Sequence, residues 1–132
     1  MTEDDILAID DIMFTAVNYR DWENVLRYIG HDTLIQIGPL GELRGKTGAD
    51  AVIAYFDKHY DYRFLSWQHV VEGNESSTLA VARLTYLETI HGLPEATGQV
   101  AEVPVAVFGT WDNGKLTRLR FIISFVDFMS AV

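Results

Sequence analysis

The chain has 132 residues, 48% of them hydrophobic and only three of them proline, which fits one globular domain with a single core. Nineteen acids against ten bases give a formal net charge of −9, which repels nucleic acid and anionic membrane surfaces, so neither is an expected partner. The absence of cysteine excludes disulfides and thiol chemistry, the acidic start Met1-Thr2-Glu3-Asp4-Asp5 lacks a signal-peptide pattern, and the apolar run Phe121 to Val126 is too short to span a bilayer, so a cytoplasmic protein is expected.

Ile6, Ile9, Met13 and Val17 recur at helical spacing and predict a first helix, with Thr2 as its cap and Glu3, Asp4 and Asp5 in its first turn. Asn18-Tyr19-Arg20 breaks the pattern. Asp21 then caps a second short helix carrying Trp22, Val25, Leu26 and Ile29, which stops at Gly30. Thr33 to Ile37 reads as a strand ended by Gly38-Pro39-Leu40-Gly41, and Thr47 as the cap of a third helix with Val52, Ile53, Phe56 and Tyr60 on one face. After Tyr62 the period changes to two. Arg63 to Gly73, Thr78 to Ile90, Gln99 to Trp111 and Leu116 to Phe128 are four strand candidates, and Asn113-Gly114 is a strong hairpin signal between the last two. In the last strand Leu119, Phe121, Ile123 and Phe125 share one face, with Arg118, Arg120 and Ser124 on the other. Helices followed by a strand meander predict an α+β fold.

Several motifs lead nowhere. Gly41-Glu42-Leu43-Arg44-Gly45-Lys46-Thr47 has three residues between its glycines where a phosphate-binding loop needs four. Glu88 and His91 would face opposite sides of a strand, and His31, His59, His69 and His91 have no zinc or iron spacing. No serine lies in a nucleophile elbow. Asn74-Glu75-Ser76 is a glycosylation sequon without a secretory context. Neither a metal nor a cofactor is expected.

Asp21-Trp22-Glu23, Gly45-Lys46, Ala54-Tyr55-Phe56 and Gly114-Lys115-Leu116, in this order of elements, make the whole chain resemble the NTF2-like superfamily and its SnoaL-like group. The resemblance implies a single domain over residues 1–132, in which three helices pack on a strongly bent antiparallel sheet to form a cystatin-like cone with a hydrophobic pocket. That superfamily includes ketosteroid isomerases, polyketide cyclases, dehydratases and non-enzymatic transport factors, so a fold is implied more firmly than a reaction. Ketosteroid isomerases use an Asp base with a Tyr and a protonated Asp as hydrogen-bond donors. Matched through the helix signatures, those roles fall at Ile37 or Gly38, at Met13 and at Ala106, so that mechanism is not expected. Many members carry an acid near Ser124; here the nearby acid is Asp127.

The same matching turns Ile35, Tyr55, Trp67, Thr85, Ala106, Leu119 and Ile123 toward the pocket as ligand-binding walls, together with His69 and Arg83. His69 is then the candidate acid–base group, Arg83 the candidate stabiliser of negative charge, and Asp127 a candidate displaced acid. Each also has a structural reading: His69 as a hydrogen-bonded core residue, Arg83 paired with Glu102 or Glu88, Asp127 as a solvated carboxylate. The expectation is a cofactor-free proton-transfer isomerase, cyclase or dehydratase acting on a small apolar oxygenated substrate, or else a non-catalytic ligand-binding or interaction module. A homodimer is expected through the outer sheet face, assigned Ala80, Ala82, Leu84 and Tyr86 on one strand and Val103, Val105, Val107 and Trp111 on the next.

Overall fold

A computed structural model describes all residues from Met1 to Val132. The elements run α1 (Glu3–Asn18), α2 (Glu23–Leu26), β1 (Ile29–Ile37), β2 (Gly41–Arg44), α3 (Gly45–His59), β3 (Tyr60–Glu72), β4 (Glu75–Tyr86), β5 (Val100–Asp112), β6 (Lys115–Ile123) and α4 (Phe125–Ala131). The six strands form one sheet in the order β2-β1-β6-β5-β4-β3. Every neighbouring pair is antiparallel except β1 and β6, which run parallel. This is the expected α+β architecture, with one helix and one short strand more than the sequence suggested.

Local chemistry sets the boundaries. Thr2 and Asp5 form a reciprocal capping box at the start of α1. Asn113 and Gly114 both adopt positive φ, the geometry of a tight turn matched to strand twist, and so join β5 to β6. At Gly45, which opens α3, φ is +65° and an added Cβ would sit 2.6 Å from the His31 carbonyl oxygen. Only glycine lets α3 start this close to β1.

The differences from the expected elements have physical causes. Ile29 opens β1 and α2 ends at Leu26, because the Leu116 amide takes the Tyr28 carbonyl and draws the chain onto β6. Thr47 caps nothing, since α3 begins at Gly45 without a side-chain cap. β4 ends at Tyr86, and the segment to Gln99 is a loop. The last strand stops at Ile123, where Ser124 accepts the Asp127 amide and starts α4; Phe125 and Phe128 belong to that helix.

One correction governs the site. Ala80, Ala82, Leu84 and Tyr86, with Val103, Val105, Val107 and Trp111, are buried on the inner face, not the outer one. On β3 an irregularity between Phe64 and Ser66 shifts the register, and His69 lies opposite Thr78. Thr78 therefore shares the inner face with Ala80, Ala82 and Leu84, and Arg83 turns outward. A one-residue error in strand parity exchanges every side chain between faces.

Candidate active site

The curved inner face of the sheet and helices α1, α2 and α3 border an apolar chamber of about 150 Å³. Val17 from α1, Trp22 and Val25 around α2, and Val52, Ile53 and Phe56 from α3 form its roof; Ile35, Leu84, Val105, Leu119 and Ile123 form its floor. Arg63 is the one charged residue along it. Away from Arg63, a ligand oxygen placed against these apolar walls would lose its water without gaining a partner, a cost of about 1–3 kcal/mol.

The chamber adjoins a wider mouth of about 720 Å³, and Ile37, Phe56, Leu84, Phe121 and Ile123 line both. Its walls come from α3, the β1–β2 turn, the end of β6, α4 and the loop after β4. This is where the polar groups collect: Tyr55, Tyr60, His91, Gln36, Glu42 and Arg120. Burial raises the pKa of Tyr60, and the neighbouring Tyr55 and Tyr86 raise it further. Burial likewise raises that of Tyr55, with Tyr86 adding to it. Both phenols therefore stay protonated through neutral pH and act as hydrogen-bond donors.

The expected site residues are dispersed. Ile35 and Leu119 line the chamber, Ile123 lines chamber and mouth, and Tyr55 lines the mouth. Trp67 and His69 face inward but lie beneath α1, away from both spaces. Trp67 Nε1 donates to Asp11 Oδ1 at 2.6 Å. The His69 side chain is only 5% exposed, with Nδ1 2.6 Å from Thr78 Oγ1 and Nε2 3.7 Å from Asp11 Oδ1. Burial lowers its pKa, opposed by the Asp11 carboxylate. Arg83 and Thr85 lie on the outer face; the Arg83 side chain is 51% exposed and meets Glu102 at 3.2 Å. Ala106 is also on the outer face. Asp127 sits in the first turn of α4, hydrogen-bonded to Ser124 and exposed. His69 and Arg83 thus do not meet on one cavity; His91, Tyr55 and Tyr60 are among the residues that line the mouth.

Of the positions matched to isomerase acids and donors, Ile37 contributes an apolar wall and Met13 is buried between α1 and the sheet. No group of three or more His, Asp or Glu side chains is placed to hold a metal ion. In the sequence His91 enters only as a rejected metal ligand and Tyr60 only on the apolar face of the third helix, neither as a pocket residue. A usable signal was present for His91: Ile90 and Leu93 flank it in a glycine- and proline-containing loop, and apolar residues there imply packing over something.

Residues 12–119 match the model of the SnoaL-like domain. No curated protein sequence matches the chain. Among solved structures, a candidate polyketide cyclase from Xanthomonas campestris superposes with a TM-score of 0.90 at 18% identity, over 98% of this chain and 97% of that one. Another candidate polyketide cyclase, from a Silicibacter species, gives 0.87 at 22% identity over 95% and 93%. An NTF2-like protein of unknown function from Burkholderia pseudomallei gives 0.82 at 16% identity over 100% and 98%.

Proposed function

The chain belongs to the SnoaL-like domain family, and from that membership we propose that it binds a small apolar, oxygenated molecule and catalyses proton transfer on it at the cavity mouth. The carrying observation is the division of the cavity into a chamber whose lining is hydrophobic except for Arg63 and an adjoining mouth whose lining includes His91, Tyr55 and Tyr60. A ligand enters apolar end first, because burying its oxygens in the chamber would leave them unpaired. Its oxygenated end then stays in the mouth.

There the His91 imidazole accepts a proton from the carbon beside a ketone, or from a phenol. The electron pair moves onto the oxygen, and a protonated Tyr55 or Tyr60 hydroxyl donates a hydrogen bond to the developing anion. Returning the proton at another carbon completes an isomerisation; attack by the enolate carbon on a second carbonyl, with the proton passed to the new alkoxide, completes a cyclisation. His69, Arg83 and Asp127 have no part in this reading. The candidate cyclases among the structural neighbours support the reaction class.

The test uses an enolisable aryl ketone in D2O, with binding followed by NMR and deuterium entry at the α-carbon as the catalytic readout. Wild type is expected to bind and exchange. Ile53→Trp, which fills the chamber, should weaken binding by about tenfold or more through lost apolar contact, and His91→Gln should bind but exchange about 10²-fold more slowly. Binding without exchange in wild type would favour the second reading, a ligand-binding module, which the apolar chamber supports equally well.

A further inference from the structure

The loop after β4 is closed and internally tied. The Tyr86 amide donates to the Gln99 carbonyl at 2.8 Å and the Gly98 amide returns to the Tyr86 carbonyl at 3.0 Å, so the two ends of the loop meet. His59 grips its first residues: its carbonyl accepts from the Leu87 amide at 2.9 Å, and its Nδ1 lies 2.8 Å from the Glu88 carbonyl. At the tip, Ile90 to Pro94, the main chain has one turn bond of its own, Leu93 amide to Ile90 carbonyl at 3.0 Å. Yet this tip brings Ile90, His91 and Leu93 to the mouth.

The base of the tip is closed by Thr89, whose hydroxyl accepts the Ala96 amide at 2.9 Å, and the tip itself is held from the core by one buried hydroxyl. Tyr86 is 0% exposed; its Oη accepts the Ile90 amide at 2.9 Å and donates to the Pro94 carbonyl at 2.7 Å. The hydroxyl is therefore used in both directions and bridges the two sides of the segment containing His91. Its ring is fixed independently, edge-on to Phe128 at 5.4 Å and beside Tyr60 at 6.0 Å. A tyrosine locked in the core thus reaches out to set the position of a loop on the surface.

We propose that Tyr86 is a positioning residue for His91, its hydroxyl clamping the Ile90–Pro94 turn over the mouth so that the imidazole meets the oxygenated end of the ligand. The inference rests on the mouth being the reaction site, but the clamp itself is separately measurable. Tyr86→Phe keeps the ring packing and removes both hydrogen bonds. Amide exchange at Ile90 should then accelerate by about tenfold, the scale of one lost hydrogen bond, and the His91 ring resonances should move toward those of a free imidazole. The affinity for 4-nitrophenol, whose absorbance separates phenol from phenolate, should weaken by about threefold to tenfold. A purely structural tyrosine would lower the melting temperature and leave the His91 resonances and the probe affinity unchanged.

Arg83→Ala, on the outer face, is expected to leave all three readouts as in wild type. Unchanged Ile90 exchange and His91 resonances in Tyr86→Phe overturn the clamp. Should that variant fail to fold, Ile90 exchange in wild type decides: protection well above that of the neighbouring His91 amide supports the clamp, and equal exchange overturns it. If wild type binds no phenol while the exchange and resonance changes appear, the clamp stands and the ligand reading fails.

Discussion

Asp10 lies on α1 only 7% exposed, with Oδ2 buried and without a hydrogen-bond partner. Burial pushes its pKa up from 3.8 to about 6, opposed in part by the Ser76 hydroxyl. The folded state therefore holds the proton more tightly than the unfolded one. Its contribution to stability is fullest below about pH 3.8 and is lost as pH rises through about 6. His69, nearby beneath the same helix, runs the other way: its pKa is lowered, so its stability is present above 6.5 and is lost as pH falls through the folded value. Asp10→Asn is accordingly expected to stabilise the protein by about 1–2 kcal/mol at pH 8. The gain should shrink toward zero near pH 4, as read by urea denaturation at both pH values. An equal gain at both would assign the effect to packing.

At the level of elements, α1 is fastened along β3, which is an edge strand of the sheet. Asn18 donates to the Phe64 carbonyl at 2.9 Å and accepts its amide at 2.8 Å, beside the point where β3 shifts register. Glu3 accepts the Gly73 amide at the other end. Asn18→Leu is expected to cost about 1–3 kcal/mol by stranding both Phe64 groups, measured as a lower denaturant midpoint with an unchanged slope. These contacts also explain what the sequence could convey. Helical periods in α1 and α3 and the Asn113-Gly114 turn were legible because they depend on near neighbours. Strand parity was not, since the face taken by Arg83 depends on a register shift between Phe64 and Ser66 and on pairing of His69 with Thr78. The apolar series Ala80, Ala82, Leu84 could equally have lined an interface. Ile35, Leu119, Ile123 and Tyr55 were placed on the cavity because their own elements kept the expected phase. His91 escaped because its place depends on a hydroxyl five residues away, on Tyr86.

For the whole molecule, the corrected parity puts a different set of residues on the outer face of the sheet. The outer face presents Leu79, Phe108 and Ile122, each 40–61% exposed, with Pro104 and Ala106 beside them on β5. We propose that two copies pair through this face, since contiguous apolar surface of this kind marks an interface. Light scattering at micromolar concentration should give a dimer for wild type and a monomer for Phe108→Glu, with the circular dichroism of both alike. A monomeric wild type would refute it.

The parallel pairing of β1 with β6 has a consequence for biosynthesis. Ile35 opposes Leu119 and Ile37 opposes Phe121, so the cavity floor joins an early strand to a late one. A ribosome-bound chain can form α1 and the β1–β2 and β3–β4 hairpins from local contacts, but Ile35, paired early with Leu43, must wait for Leu119 on its other side. Until then an apolar trough is open to solvent, a state that invites chaperones and aggregation. Substitutions in β6 should therefore reduce soluble yield more than their effect on equilibrium stability would suggest.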